Sequence, residues 1–228
     1  MKDRTKNNII RNNLVINAVG NVEATPSNGL ATNGIYVDNN STQILVENNA
    51  IIKASSNGIF VNDASPKNTV RNNLIYNCTD AIGFAEWANK DSLYGCFVEK
   101  NVAIATDKSH KAVSILTFLG PALNPGEFKN NTYVNYHDGF VINYKTDPES
   151  GQRRHDQFRI TNWQKISGSE TGSRTVELTG VKVIYNDSFT AKNIPLPSGT
   201  FVDVNGNSLP ESIQLAPCEA MMIAVQEN

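Results

Sequence analysis

The sequence predicts an all-β protein: a right-handed parallel β-helix with three strands per coil, followed by a small antiparallel, sandwich-like β domain. An excess of asparagine and two short motifs that recur in constant phase predict the first part, and a turn-rich tail predicts the second. Of the 228 residues, 31 are asparagine, and 25 of these precede Lys145. Because Asn favours turns and left-handed backbone positions, this density indicates sharp turns at regular intervals.

The first recurring motif is a strand, a polar corner that ends in asparagine, and a second strand. It reads Leu-Val-Glu-Asn-Asn-Ala-Ile-Ile at 45–52 and Thr-Val-Arg-Asn-Asn-Leu-Ile-Tyr at 69–76. The aligned corners end at Asn13, Asn49, Asn73, Asn101 and Asn131. One such corner per coil predicts an internal ladder, in which stacked side-chain amides donate and accept hydrogen bonds along the coil axis.

A second motif lies between those copies. It reads Gly-Ile-Tyr-Val-Asp at 34–38 and Gly-Ile-Phe-Val-Asn at 58–62, and weaker copies follow at 81–85, 111–115 and 139–143. Each period therefore contains three short strands separated by turns. Three strands in a repeat of about 24 residues are typical of a parallel β-helix, in which each coil pairs only with its neighbours.

The pattern changes after Lys145, which gives three segments: the β-helix at 1–145, a linker and packing segment at 146–173, and the antiparallel domain at 174–228. Tail strands are expected near 175–178, 181–185, 200–204, 212–215 and 221–225. We expect this domain to close the C-terminal end of the coils. Since the first copy starts close to Met1, we expect preceding coils of a longer chain, or another subunit, to cover the other end.

The repeat, Asn-Gly-Ile-x-Val-Asp/Asn followed by Val-x-Asn-Asn, resembles the right-handed parallel β-helix (pectate-lyase-like) superfamily over residues 7–145. The tail, through its segments 162–168 and 215–217, loosely resembles the C-terminal part of bacterial β-helix glycoside hydrolases. This resemblance implies a carbohydrate partner, hydrolysis of glycosidic bonds in a polysaccharide or oligosaccharide, and an extracellular or periplasmic location. The chain itself opens without an apolar signal segment.

Composition excludes two other classes of partner. The net charge of −2 provides no basic field for nucleic acid. The longest apolar runs, such as Met221–Val225, are far too short to span a bilayer, so no membrane partner is expected. Three cysteines, Cys78, Cys96 and Cys218, exclude a disulfide scaffold, and buried free thiols are the favoured interpretation of the first two.

Strand alternation on the face of the second motif predicts which side chains point outward. The first outward row is expected to contain Tyr36, Phe60, Gly83, Ser114 and Val141. The second is expected to contain Asp38, Asn62, Ala85, Leu116 and Asn143, with Asp63 and Glu86 at the turn that follows. This arrangement yields candidate catalytic carboxylates at Asp38, Asp63 and Glu86, and candidate sugar-binding aromatics at Tyr36, Phe60, Trp87 and Tyr94. Insertions at 19–30, 87–94 and 119–126 are expected to wall this face into a groove.

The expected spacing of the carboxylates fits glycoside hydrolysis. Asp38 and Asp63 in adjacent coils would lie about 5–6 Å apart, close to the roughly 5–5.5 Å of retaining enzymes. Asp38 and Glu86 would lie about 10 Å apart, at the loose end of the roughly 6.5–9.5 Å of inverting enzymes. One carboxyl would protonate the leaving oxygen while the other, ionised, attacks the sugar or activates water.

Two alternatives stay open. Asp and Asn are common where strands enter turns, because their side chains bond the local backbone, so the chain could be a non-catalytic glycan-binding or structural module. No cofactor is predicted outright, but stacked carboxylates could hold Ca2+. The lyases of the superfamily combine Ca2+ with a Lys or Arg base; Lys67 and Lys90 are the nearest candidates, and neither is at an outward strand position of this face.

Overall fold

The computed structural model describes residues 5–20, 32–63, 65–86, 93–117, 125–136, 139–146 and 154–226. These residues form several sheets and one short helix, so the predicted all-β class is confirmed. The strands of the first part are β1 (Thr5–Lys6), β2 (Ile9–Arg11), β3 (Leu14–Ala18), β4 (Ile35–Val37), β5 (Ser41–Thr42), β6 (Leu45–Glu47), β7 (Ala50–Val61), β8 (Thr69–Arg71), β9 (Leu74–Glu86), β10 (Cys96–Glu99), β11 (Val102–Ile104), β12 (Lys111–Thr117), β13 (Gly126–Lys129), β14 (Thr132–Val134) and β15 (Phe140–Thr146). They are followed by β16 (Arg154–Arg159), α1 (Ile160–Ser167), β17 (Arg174–Val176), β18 (Lys182–Tyr185), β19 (Lys192–Pro195), β20 (Phe201–Val202), β21 (Ser212–Leu215) and β22 (Ala220–Val225).

Parallel pairing joins equivalent strands of successive repeats. One sheet has the order β13-β10-β8-β6-β2, and all of its pairs are parallel. In a second sheet, the long strands β7 and β9 pair with β3 and β11 through their first halves and with β4 and β12 through their second halves. The middle residues of the first sheet that are fully buried, Val46, Val70 and Val98, lie in register. Burial of each such side chain contributes about 1.5–3 kcal/mol.

The predicted row of corner asparagines is present as a hydrogen-bonded ladder. Nδ2 of Asn49 donates to Oδ1 of Asn73 at 3.0 Å, and Nδ2 of Asn73 donates to Oδ1 of Asn101 at 3.0 Å. The same contact joins Asn13 to Asn49 and Asn101 to Asn131. In the inner rungs the second Nδ2 proton goes to a strand carbonyl, so these buried amides are satisfied, as buried polar groups must be.

A left-handed residue precedes every ladder asparagine. Its φ is between 54° and 56° at Asn12, Asn48, Asn72, Lys100 and Asn130. Asn tolerates this conformation better than most L-residues, because its short polar side chain can bond locally. The Asn-Asn pairs of the sequence therefore combine two requirements, a left-handed turn and an inward amide.

A sixth corner, which the sequence did not reveal, lies at Gly172 and Ser173. Gly172 is left-handed with φ 70°, and Oγ of Ser173 accepts a hydrogen bond of 2.9 Å from the backbone N–H of Asn131. Strand β17 then pairs in parallel with β14. The parallel stack thus extends to Val176, so the expected start of the antiparallel domain at 174 is too early.

Helix α1 closes the C-terminal end of the stack. Strand β16 pairs antiparallel with β15, and α1 buries Ile160 and Trp163 against Tyr144 in the main core. The helix ends at Gly168, which is left-handed and donates its N–H to the carbonyl of Gln164. With eight residues α1 is short, and no helix in the described ranges has the length and apolar character to cross a membrane.

The C-terminal β domain lies on the side of the stack, which corrects the expectation that it closes the end. Its strands form the antiparallel sheets β18-β22-β20 and β19-β21. Val202, Met222 and Ala224 pack in one cluster with Ile104 and Val134, which belong to the parallel strands β11 and β14. Strands occur at or beside all five expected tail segments; β19 was not expected.

Charged side chains of alternating sign occupy one outward row of the first sheet. Registers place Arg11, Glu47, Arg71, Glu99 and Lys129 next to one another in that order. Two nitrogens of the Arg71 guanidinium donate to Oε2 of Glu47, at 2.9 and 2.8 Å. Opposite charges on directly adjacent strands stabilise a sheet, and like charges destabilise it.

Candidate functional site

Two aromatic side chains stack on the outward side of β4 and β7. Tyr36 and Phe60 are in register, their ring centroids are 5.4 Å apart and their planes differ by 8°. Tyr36 is 50 % exposed and Phe60 is half-buried. The next residue in the row is Gly83, where a Cβ atom would lie 2.9 Å from Cδ2 of Phe60. The missing side chain of Gly83 therefore makes room first for the Asn57 amide, which such a Cβ atom would meet most closely, and then for the Phe60 ring.

A hydrogen-bonded group adjoins this aromatic pair. Nδ2 of Asn62 donates to the Tyr36 hydroxyl at 2.8 Å and to Oδ1 of Asp38 at 3.0 Å. Partial burial and the neighbouring Asp38 carboxylate raise the pKa of Tyr36, so its phenol stays protonated and can donate a hydrogen bond. Asp38 is half-buried and remains reachable from solvent. Tyr36, Phe60, Asn62 and Asp38 are called the aromatic face below.

Asp63 lies close to the aromatic face but is buried. Its charge contributes to the raised pKa of Tyr36, after that of Asp38. It follows the last strand residue by two positions, has a left-handed φ of 53°, and is only 8 % exposed. Its backbone N–H donates to the carbonyl of Ala85, so Asp63 also belongs to the turn that follows β7.

Glu86 lies on the inner side of the same edge. It is 3 % exposed and in register with the fully buried Thr117. Oε1 accepts a 2.5 Å hydrogen bond from the Thr117 hydroxyl, and Oε2 accepts a 3.0 Å bond from the backbone N–H of Leu93. These contacts join β9, β12 and the segment that leads into β10. The structure thus brings Asp38 and Asp63 close to one phenol and separates Glu86 from the surface.

In β15, the outward rows differ from the prediction by two residues. Asn143, not Val141, is in register with Ser114, and Lys145, not Asn143, is in register with Leu116. Val141 is fully buried. The shift arises because the segments before β15 vary in length, so a short motif alone did not fix its register.

A second polar group on this sheet was not recognised in the sequence. Asp80 is in register with Lys111, and Ser114 and Lys145 also act on its carboxyl. Burial raises the pKa of Asp80, and the nearby lysines oppose the shift. Asp80 is in register with Asn57, the first residue of an Asn-Gly-Ile motif. This equivalent position in the second motif is the signal that could have identified Asp80 from the sequence.

The remaining candidate residues lie apart from the aromatic face or outside the described residues. Tyr94 is 49 % exposed, and its ring lies 5.7 Å from Nζ of Lys67, in the turns that precede β8 and β10. Trp87 and Lys90 lie outside the described residues, as do most of the three insertions expected to wall the face. Within the described ranges, no three His, Cys, Asp or Glu side chains come together in a way that could hold a metal ion.

The geometry therefore defines an outward aromatic pair with an amide and a carboxylate at its edge. Comparison of the chain with models of protein families, with curated proteins and with solved structures gave no match.

Proposed function

We propose that the chain is a carbohydrate-active, right-handed parallel β-helix protein whose aromatic face binds a glycan. Parallel pairing of repeats 24 to 36 residues apart and the asparagine ladder support this architecture. The superfamily that the repeats resemble makes carbohydrate the substrate class. A fold of this kind is not restricted to enzymes, so the functional proposal rests on the residues of the site and not on the fold.

The observation that carries glycan binding is the Tyr36–Phe60 stack with Asn62 and Asp38 at its edge. Aromatic surfaces pack against the apolar faces of ligands, and a few placed polar groups fix their orientation. The exposed half of Tyr36 offers such a surface, and the amide and carboxylate offer hydrogen bonds to hydroxyl groups. Because the rings already stack, little conformational entropy is lost on binding.

Affinity electrophoresis in gels with soluble plant and algal polysaccharides tests this proposal. We expect the wild-type chain to be retarded by at least one polysaccharide, and Tyr36→Ala to weaken that retardation at least fivefold. Tyr185→Ala removes another exposed tyrosine, in the C-terminal domain, and is the matched control. Retardation that is equal in all three proteins would contradict the proposal.

Hydrolysis is the second candidate function, and the observation that favours it is the placement of two carboxylates beside Asn62. The Asn62 amide donates to Oδ1 of Asp38, and Asp63 is the next residue in the chain, so a pair of carboxylates lies at the edge of the aromatic face, as a retaining mechanism needs. Release of reducing ends from the polysaccharide that binds provides the assay. Asp38→Asn and Asp63→Asn should each abolish turnover, and Asp63→Asn, at a buried position, should leave retardation largely intact.

Three other outcomes are informative. Binding without turnover in the wild type identifies a non-catalytic glycan-binding module. Turnover that survives both substitutions excludes this carboxylate pair. An ultraviolet-absorbing unsaturated product that disappears on addition of a chelator identifies a Ca2+-dependent lyase instead.

A further inference from the structure

A groove with a volume of about 500 Å³ lies between the parallel stack and the C-terminal β domain. One wall is the row of left-handed corner residues Asn12, Asn48 and Asn72, and the other is the turn at 216–220. Ala50 and Leu74 form its floor. This corner groove lies beside the asparagine ladder, whereas the aromatic face follows the other end of β7 and β9. Its volume is in the range of pockets for small ligands, about 300–1,000 Å³.

The three wall asparagines present unused hydrogen-bonding groups. Asn12, Asn48 and Asn72 are exposed, and their side-chain amides make no hydrogen bond with any part of the chain that the structure describes. The neighbouring ladder amides, in contrast, are fully engaged. Since successive parallel strands are about 4.8 Å apart, the three amides span about 10 Å along the groove, and each offers both a donor and an acceptor.

The left-handed backbone alone does not account for all three amides. The same corner position contains Lys100, Asn130 and Gly172 in the later coils, which do not line the groove. Lys and Gly thus satisfy the backbone requirement in this protein. In the coils that face the turn at 216–220, the position is occupied by Asn each time.

The opposite wall is held firmly in place. Nδ2 of the fully buried Asn186 donates to the carbonyls of Leu215 and Ala216, and its backbone N–H donates to the carbonyl of Glu219. Oε2 of Glu219 accepts a 2.7 Å hydrogen bond from the backbone N–H of Ala216. Both walls of the groove are therefore held in place before a ligand binds, which lowers the entropic cost of binding.

We propose that the corner groove is a second binding site, for a short neutral oligosaccharide. A row of free amides matches a ligand rich in hydroxyl groups, because each amide both donates and accepts. The apolar floor of Ala50 and Leu74 matches the C–H faces of sugar rings. Glu219 is the one charged residue among the described residues that line the groove, so an anionic sugar or a phosphate would meet repulsion.

Cys218 supplies a local reporter for the test. It lines the groove and is partly exposed, whereas Cys78 and Cys96 are buried. Burial raises the pKa of Cys78 to about 12 and that of Cys96 to about 11, so these two thiols stay protonated at pH 8. Iodoacetamide should therefore alkylate Cys218 selectively, and mass spectrometry of the intact chain gives the rate.

The experiment measures that rate for the full chain with and without cellotetraose, xylotetraose, mannotetraose or tetragalacturonate, each at 5 mM as an order-of-magnitude choice for weak sugar affinities, about 1 mM. We expect at least one neutral tetrasaccharide to slow alkylation threefold or more, and tetragalacturonate to have no effect. Absence of protection by every neutral sugar, or equal protection by tetragalacturonate, overturns the proposal.

Matched glycine variants test the amides. Asn48→Gly and Asn72→Gly remove a groove amide while glycine keeps the left-handed backbone, and each should reduce protection at least threefold. Asn130→Gly makes the same change at φ 54° outside the groove and should retain protection. Loss of protection in all three variants overturns the proposal. Tyr36→Ala should leave Cys218 protection intact, so failure of the aromatic face and failure of the corner groove are distinguishable.

Discussion

Oγ of Ser173 accepts a 2.9 Å hydrogen bond from the backbone N–H of Asn131, which lies 42 residues earlier in the chain. In the same way, Oδ1 of Asn131 accepts a 3.0 Å hydrogen bond from the backbone N–H of Asn101, so an amide oxygen there takes the place of the hydroxyl. Ser173 therefore ends the ladder, and helix α1 is an insertion between the corners at Asn131 and Ser173. Serine has no amide NH2 to continue the row of amides, and its hydroxyl is hydrogen-bonded to the Glu170 carboxyl instead.

Removal of that acceptor should destabilise the fold. Ser173→Ala leaves the buried N–H of Asn131 without its partner, and an unsatisfied buried donor costs about 1–3 kcal/mol. Urea unfolding followed by circular dichroism measures the loss. Ser198→Ala, in an exposed turn, is the control and should change stability by less than about 0.5 kcal/mol. An equal effect of both substitutions would remove Ser173 from the ladder.

The position of a rung should decide its contribution. Asn73 is buried, donates to Val46 and Asn101 and accepts two bonds from Asn49, so Asn73→Ala should cost about 2–4 kcal/mol. Asn13 is exposed at the first rung, so Asn13→Ala should cost about 1 kcal/mol or less. Both values come from the same urea titration. The reverse order of the two variants would contradict a ladder whose strength depends on burial.

Glu86 and Asp38 should separate stability from binding. In Glu86→Gln one carboxylate oxygen becomes an NH2 group facing either the Leu93 N–H or the Thr117 hydroxyl, so we expect a loss of about 1.5–3 kcal/mol in unfolding free energy. Asp38→Asn, at a half-buried position, should change stability by less than about 1 kcal/mol and alter glycan retardation. Loss of retardation in folded Glu86→Gln, with Asp38→Asn unaffected, would reverse these roles.

Stability should depend on pH through Glu170. Burial raises the pKa of this carboxyl, which accepts a hydrogen bond of 2.7 Å from the Tyr133 hydroxyl. A raised pKa in the folded state means that its favourable contribution is complete below the ordinary glutamate value, about 4.3, and is lost as the pH rises through the raised value. Glu170→Gln should flatten this fall when urea midpoints are compared between about pH 4 and 8.

Asp80 provides the comparison for that experiment. Burial raises its pKa as well, so it contributes a fall of the same sign. Asp80→Asn should remove a separate part of the pH dependence, and the double variant should be flatter than either single one. A pH profile of Glu170→Gln identical to that of the wild type would show that the buried carboxyl is not linked to folding.

The Arg71–Glu47 pair should contribute more than an exposed pair. Glu47 has 11 % of its side chain exposed, so Arg71→Met leaves a mostly buried carboxylate and should cost about 1–2 kcal/mol. Lys192→Met breaks the pair with Asp187, whose side chains are 49 % and 66 % exposed, and should cost less than about 0.5 kcal/mol. Thermal unfolding in low and high salt measures both. An equal loss in the two variants would contradict the difference in burial.

The repeats predicted most of the parallel strand pairing because two physical constraints recur in each repeat. The left-handed corner and the inward amide select Asn-Asn directly, so Asn49 and Asn73 were placed in one row from the sequence. Ser173 was missed because Gly172-Ser173 satisfies both constraints with other residues, after an insertion that disturbs the spacing. The insertion itself was not predicted as a helix, because α1 depends on packing of Ile160 and Trp163 more than on helix propensity.

The sequence contains a signal for the position of the C-terminal domain. Consecutive apolar residues, as in Leu74-Ile75-Tyr76 and Val102-Ala103-Ile104, occupy both sides of their strands. A strand with both faces apolar is buried on both faces, here by the core and by the C-terminal sheets. On the aromatic face, alternation placed Tyr36, Phe60 and Asp38 outward. The same alternation could not reveal that Glu86 would accept a hydrogen bond from Thr117, because that bond joins residues of two different strands, β9 and β12.

The alternating charges of Arg11, Glu47, Arg71, Glu99 and Lys129 also bear on how the repeats find their order during folding. Similar repeats could exchange places, since most of their core and corner contacts would survive the exchange. If one repeat were skipped, arginine would face arginine or glutamate would face glutamate on adjoining strands. The alternation of charge therefore destabilises any pairing in which one repeat is left out.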